Sequence, residues 1–289
     1  MRDWIAAARP RTLTAAIVPV VVAGAAARRS GAFEWTPFWL TLLGAVSIQI
    51  AANFANDASD AQRGADPSDR IGPPRMVATG RLAAPSVWRA CWGAITLAAF
   101  CGLLLTVRVG PVMILIGVAS VLAMLGYVGG PKPYGYRGLG EAFVFVFFGL
   151  VGTVGSRLAY DGRSPAFVWW LGVPIGLLAA AILMANNLRD LPLDRRVGKR
   201  TLAVLLGDRA AINLFFGTIW AALALTLVLA VVGIEPIGVA AGIASGALVF
   251  PLMRLPLRPD DRRTYVPLLA GTARIHALYG ALVAAGLLL

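Results

Sequence analysis

An all-α membrane protein, nine helices bundled around a central cavity, is the fold class this sequence predicts, on three observations. Hydrophobic residues make up 58% of the 289 and charged residues 14%, with a mean hydropathy of +0.76, against roughly 45–50% and 25% in soluble domains. Nine apolar runs come near the ~18–20 residues that cross a ~30 Å hydrocarbon core as helix: 12–28, 36–56, 86–107, 110–128, 139–159, 166–188, 209–233, 236–254 and 265–288. The 26 lysines and arginines are also shared unevenly between the connections. With the N-terminus in the cytoplasm, the cytoplasmic segments carry 21 of them and the opposite side 5. The basic side of a membrane protein faces inward, so the sequence predicts a single domain over 1–289 in the cytoplasmic membrane, N-terminus inside and C-terminus outside. A net charge of +12 placed in this way suits anionic headgroups and anionic substrates and needs no nucleic acid to explain it.

Taken in order, the chain begins with RDWIAAARPRT, in which Trp4 sits among basic residues as in an interfacial helix, with Arg9 and Arg11 as anchors that could also serve substrate binding. Arg2, Arg9 and Arg11 before an apolar run ending in Ala25, Ala26 and Ala27 also resemble a cleaved leader. Arg28 and Arg29 directly after the supposed cut argue against that, and the run is read as the first span, with Pro19 inside it. The second run ends in Gln49, Asn53, Asn56, Asp57 and Asp60. The last four are spaced i, i+3, i+4 and i+7, which puts amides and carboxylates on one helix face. In the connection that follows, Gly64, Pro67, Gly72, Pro73, Pro74 and Gly80 oppose a long helix. It continues the polar stripe, so Arg63, Asp66 and Arg75 are candidates to face a site, while Asp69 and Arg81 read as solvated.

The third run carries Cys91 and Cys101, ten residues or about 15 Å apart on a helix, too far to bridge; they read as small core residues. After the fourth comes YVGGPKPYGYRGLGE, a hairpin dense in glycine and proline with Lys132, Tyr136, Arg137 and Glu141, where backbone can approach a ligand closely. The sixth run delivers a second stripe, Asn187, Asp190 and Asp194, followed by a basic connection with Lys199 and Arg200 and a short amphipathic segment. The two stripes stand 133 residues apart, about half the chain, which is compatible with pseudo-symmetry around a cavity. Runs seven to nine are chemically quiet, their small residues suited to helix packing; His276 reads as a packed residue.

Carboxylates gathered at a membrane boundary need cations, because each charge at the centre of a membrane helix costs at least ~2.5–3.5 kcal/mol. Asp and Asn without His or Cys form the hard, oxygen-only donor set that Mg2+ prefers, and Mg2+ completes its shell with water and phosphate oxygens. Arg and Lys beside it add direct phosphate contacts. The pattern predicts a Mg2+ and diphosphate site at the mouth of an apolar bundle, fitted to a ligand with a charged head and a hydrocarbon tail. An ion-coupled transporter is the rival class, but its sites lie at the bilayer midplane and not beside basic loops.

The order WIxAARPRT, NxxNDxxD, GGPxPxGYxGLGE and NNLRDxxxDxxxGKRTLAVLLG resembles the UbiA superfamily of intramembrane prenyltransferases along essentially the whole chain. Within it, the RPRT start, GADPSDRIGPPR and the GGPxPxGYxGLGE loop are most similar to the menaquinone-biosynthesis branch. Gly64 stands where the 4-hydroxybenzoate branch carries a third Asp, with Asp66 the nearest substitute. The resemblance implies a nine-helix bundle whose cavity opens to lipid, with Mg2+ held by Asn56, Asp57 and Asp60 on one side and by Asp190 and Asp194 on the other. These four aspartates would be catalytic. Asn53, Asn56, Arg63, Arg75, Lys132, Tyr136, Arg137, Glu141, Asn187, Lys199 and Arg200 would bind substrate, with Gln49 orienting the first stripe. The implied reaction moves a polyprenyl group from polyprenyl diphosphate to 1,4-dihydroxy-2-naphthoate with loss of carbon dioxide, giving demethylmenaquinone. 4-Hydroxybenzoate, homogentisate and haem remain as alternative acceptors.

Overall fold

The computed structural model describes residues 1–64, 71–72, 74–129 and 133–289; the readings placed on Asp66, Asp69 and Lys132 lie outside the described residues. Helices α1 (Arg2–Ala8), α2 (Thr14–Arg29), α3 (Trp35–Gln62), α4 (Ala84–Val109) and α5 (Val112–Val128) are followed by α6 (Gly140–Asp161) and α7 (Ala166–Arg196). The short α8 (Leu202–Leu206) leads to α9 (Asp208–Val231), α10 (Ile237–Met253) and α11 (Arg262–Leu288). Among the described residues there is no β-strand.

Each of the nine apolar runs is helical, but they are not nine equal spans. Helices α3, α4, α6, α7, α9 and α11 are long and apolar enough to cross a membrane. The pair α1 and α2, bent by 56° at its break, makes a seventh, while α5 and α10 are shorter apolar helices. Two physical details account for the bent pair and for the reach of α10. Arg9 adopts a left-handed backbone (φ 51) that closes α1, and Pro10 then opens a 3-10 turn, Pro10–Thr12, where its missing N–H costs nothing. In α10 the first 12 residues are 3-10 and only the last five α. At ~2.0 Å rise per 3-10 residue, this helix reaches about 31 Å, the thickness of a hydrocarbon core.

Two apolar cores flank the cavity. One joins α2, α7, α9, α10 and α11 through Val22, Leu171, Ile175, Phe215, Leu268 and Tyr279. The other joins α1, α3, α4 and α5 to the segment after Pro74 through Ala51, Ala55, Met76, Val87 and Cys91. Both cysteines are buried and free, as expected. At the far end from the polar stripes, fully buried Arg157 donates to Asp161, Ser30 and the Arg163 carbonyl, tying α6 to α2. Large apolar side chains such as Phe100, Leu115, Leu122 and Val231 are exposed, a surface that lipid covers and water would not. Trp35, Trp169 and Trp170 stand exposed at the starts of α3 and α7, where interfacial tryptophans belong. The chain is an integral membrane protein.

One contact fixes where α7 runs. Gly149 of α6 lies so close to α7 that a Cβ on it would fall 2.5 Å from the Gly176 Cα and 2.6 Å from the Gly172 carbonyl oxygen, the close backbone approach that paired glycines permit in membrane helices. Around it α6 widens into a π-helical stretch, Phe145–Val151, that turns Phe147, Phe148 and Val151 to the cavity. A Cβ on Gly176 would fall 2.6 Å from the Phe145 carbonyl oxygen. Gly176→Ala is therefore expected to cost about 1–3 kcal/mol by overpacking, seen as a lower thermal midpoint of detergent-solubilised protein; an unchanged midpoint would show that the helices part freely.

Candidate active site

The first stripe divides between two tasks. Asn53, Asn56 and Asp60 line the cavity, whereas Asp57, 1% exposed, accepts from the backbone N–H groups of Met76 (3.1 Å) and Val77 (3.2 Å). At 100° per residue the four positions cover about a third of the helix circumference. Asp57 lies at one edge of that arc, turned to the connection and not to the cavity. Above it, Gln49 donates to Thr12 Oγ1 at 3.2 Å, and Asn53 donates to Thr12 Oγ1 at 3.1 Å and to the Ala8 carbonyl at 2.8 Å. Thr12 in turn donates to the Arg9 carbonyl at 3.0 Å, so its hydroxyl uses its hydrogen and both lone pairs. These bonds draw the N-terminal turn over the cavity and set Arg9 on its wall. Sequence alone reads Arg9 as an anchor that could also meet substrate, and gives Thr12 no role.

From the facing helix, Asn186, Asn187, Asp190 and Asp194 line the cavity. Arg189 grips Asp190 with Nε on Oδ1 and Nη2 on Oδ2, each at 2.7 Å, the forked geometry of the strongest charge-assisted pairs. Neighbouring helical residues point about 100° apart, so only a side chain as long as arginine can wrap back in this way. Gly72, at φ +126, lies against that guanidinium: a Cβ on it would fall 2.9 Å from Arg189 Cζ. Asp194 accepts from Thr201 Oγ1 at 3.4 Å, and its carbonyl accepts from the Lys199 N–H at 2.8 Å.

Asp60 is where the connections meet. Tyr136 donates its hydroxyl to Oδ1 at 2.9 Å, Lys199 Nζ lies 3.0 Å from Oδ2, and Arg75 Nη2 3.6 Å from Oδ2. Lys199 Nζ also sits 4.7 Å, and Arg63 Cζ 5.7 Å, from the centre of the Tyr136 ring, within cation–π reach. Burial, with the Asp60 carboxylate at its hydroxyl, pushes the Tyr136 phenol well above its usual value, so it stays a hydrogen-bond donor. Tyr136, Arg75 and Lys199 thus reach the cavity.

Other expected residues do not. Arg137 and Arg200 are exposed and off the cavity wall. They flank Tyr136 and Lys199, and successive residues in these connections point to different sides, so the inward partner leaves its neighbour facing water; Arg200 contributes only its backbone N–H, to the Tyr136 carbonyl. Arg63, at the C-terminal cap of α3, is exposed as well and stays off the wall. Glu141 is buried behind the wall and accepts from Asn187 Nδ2 at 2.8 Å, an acid that orients an amide. His276 is fully buried in α11 and off the wall.

The cavity, about 340 Å3, is polar at the stripe end and apolar beyond it. Along one wall Tyr134 stacks on Phe143 at 3.8 Å, with Tyr127 edge-on at 5.5 Å and Phe147 continuing the row. Among the described residues no three acids, histidines or cysteines converge closely enough to chelate an ion alone. The donor set is nonetheless the one Mg2+ takes, one or two carboxylates at a time with substrate oxygens to complete the shell. The carboxylates of Asp60 and Asp190 are here balanced by Lys199, Arg75 and Arg189. Acids and bases held at one mouth in this way fit divalent ions together with a polyanion.

Comparison with known proteins places this arrangement. The model of the UbiA prenyltransferase family matches residues 16–287. The 1,4-dihydroxy-2-naphthoate octaprenyltransferase of Mycobacterium tuberculosis is 44% identical over 232 residues, 78% of this chain and 77% of its own. The enzyme of the same name from Escherichia coli is 37% identical over 212 residues, 71% of this chain and 68% of its own. Among solved structures, a UbiA homolog from Archaeoglobus fulgidus bound to DMAPP and Mg2+ superposes with a TM-score of 0.65 over 97% of this chain and 99% of that one, at 14% identity, a likeness of fold.

Proposed function

The chain belongs to the UbiA prenyltransferase family, and from that premise we propose that it transfers a polyprenyl group from polyprenyl diphosphate to 1,4-dihydroxy-2-naphthoate, working as one domain over residues 1–289. The observation that carries this reading is the pairing, at one mouth, of two acid–amide stripes with Arg75, Arg189 and Lys199, opening into an apolar, aromatic-walled cavity. The relatives named for the same acceptor support its identity. The positive-inside bias supports a cytoplasmic-membrane enzyme with stripes and N-terminus inside and C-terminus outside.

Mg2+, held by Asn56 and Asp60 and by Asp190 and Asp194, the acids and amide of the expected set that line the cavity, would offset the charge that gathers on the leaving diphosphate. Asp57, expected in that set, stands off the wall and instead holds the 76–77 backbone beside Arg75. Arg75 and Lys199 stand where diphosphate oxygens would lie and stabilise the same charge. Tyr136, fixed on Asp60, and Lys199 close the polar end. The allylic C–O bond breaks with its electron pair leaving on diphosphate, and the electron-rich ring supplies the pair for the new C–C bond. The ring carboxylate departs as carbon dioxide, returning the pair of its C–C bond to the aromatic system and giving demethylmenaquinol, the reduced form of demethylmenaquinone. Phe143, Phe147 and Tyr134 keep water from the allylic carbon, and their π faces favour its positive charge.

Purified protein given polyprenyl diphosphate, Mg2+ and a panel of acceptors is expected to yield, from the naphthoate, a product heavier by the prenyl group and lighter by one carbon dioxide. A prenylated product that retains its carboxylate, or one formed only from 4-hydroxybenzoate, homogentisate or haem, would replace the acceptor assignment. Movement of substrate without diphosphate release would replace the enzyme reading by the transporter.

A further inference from the structure

Pro192 stands inside α7, between Asp190 and Asp194. Proline has no N–H, so the carbonyl four residues earlier, that of Leu188, loses its ordinary helical donor, and the ring crowds that same carbonyl. Leu188 is 1% exposed, so water is not at hand to replace the bond, and an unmet buried carbonyl loosens the turn that carries it. The structure supplies a donor from 74 residues away: Arg262, at the start of α11, gives Nη1 to the Leu188 carbonyl at 3.1 Å. The guanidinium is itself aimed. Its Nη2 donates to Asp208 at 2.9 Å, Nη1 lies 2.6 Å from the other Asp208 oxygen, Cζ sits 4.8 Å from the centre of the Tyr265 ring, and the side chain is 7% exposed.

We infer that Arg262 is a positioning residue for the second stripe, supplying from α11 the hydrogen bond that Pro192 withholds and so setting the turn that presents Asp190 and Asp194 to the cavity. Neither Arg262 nor Leu188, Asp208 and Tyr265, the groups it meets, line the cavity; the guanidinium acts through the backbone of α7. In a regular helix this turn would be held by its own ladder, and the direction of Asp190 would be fixed by α7 alone. With the ladder interrupted, that direction depends on how α11 and the start of α9, where Asp208 stands, sit against α7. The stripe is thereby coupled to the C-terminal core. Sequence shows half of this arrangement, a proline between two site acids, and hides the other half.

The inference rests on the proposed function for its activity readout, and the test carries a second readout that does not. Wild type, Arg262→Met, Pro192→Ala and the double variant are compared in full-length, detergent-solubilised protein. Pro192→Ala restores an N–H to the helix and makes the external donor redundant. Amide hydrogen exchange over 186–197 is expected to quicken in Arg262→Met and to return to the wild-type rate in the double variant. Turnover should follow, with kcat lowered roughly 10–100-fold in Arg262→Met, as small misplacements of catalytic groups lower it, KM for prenyl diphosphate less affected, and recovery to within about threefold in the double variant. A purely structural role would lower the thermal midpoint and leave the loss unrepaired by Pro192→Ala. If Arg262→Met does not accumulate, Arg262→Lys, which keeps a charge for Asp208 but loses the fork, runs the same cycle. Equal losses with and without the Pro192→Ala change, or exchange unchanged by Arg262→Met, overturn the proposal. Exchange that follows the cycle in a protein with no prenyl transfer would overturn the function and leave the positioning intact.

Discussion

Asp190→Ala is expected to lower prenyl transfer on the order of 10³-fold or more, because it removes part of the donor set for the metal that would offset the charge on the leaving diphosphate. The substitution takes away the acceptor of the forked Arg189 pair, at 2.7 Å on both oxygens, and leaves excess positive charge at the mouth. Asp60→Ala is expected to act as strongly for a different reason: Tyr136, Lys199 and Arg75 all converge on that one carboxylate, so the lid of the polar end loses its common anchor. Asp57→Ala joins them through the Met76 and Val77 amides, which it holds beside Arg75. Product mass per unit time measures turnover, and the elution volume and thermal midpoint in detergent establish that each variant is folded. Near-normal turnover in Asp190→Ala or Asp57→Ala would refute a site built from two stripes.

Chelation of divalent cations is expected to bring turnover to background, and added Mg2+ to restore it in full. The donors on the cavity wall are oxygen atoms from amides and carboxylates, a set with little affinity for softer metals, so Zn2+ should restore less than Mg2+ does. Diphosphate release, followed separately from product, tells whether the ion serves bond breaking or only acceptor binding. Turnover that persists in excess chelator would remove Mg2+ from the scheme.

Periodicity made most of the architecture legible. Nine apolar runs became nine helical segments because a run of that length leaves the backbone no other way to satisfy itself in lipid, and the helices continue past Pro19 and Pro174 inside them. Run length did not reveal that α10 would stretch by adopting 3-10 turns, since that choice answers to the neighbours it packs on. The stripes were legible as faces, and Asn53, Asn56, Asp60, Asp190 and Asp194 do share one cavity. What a helical wheel leaves out is the edge of the arc: Asp57 belongs to the stripe by angle and to the 76–77 backbone by contact. In the irregular connections there is no period to read. Arg137 and Arg200 could be placed only by association with their neighbours, and the structure turns them to solvent. Thr12 and Arg262 act on residues 37 or more positions away, and nothing local announces such a partner except a gap, as at Pro192.

The grip of Asp57 on two backbone amides also bears on how this sequence can drift. An N–H is offered by every residue type except proline, so the bond at position 77, whose side chain is only partly buried, places almost no demand on what stands there. Position 76 is constrained only by the apolar pocket that encloses Met76. Position 57 has no such freedom: glutamate would overreach, and asparagine would set a donor against one of the two amides. A set of homologues aligned over this stretch should therefore show variety at 77 with proline missing, apolar exchange at 76, and a single residue type at 57.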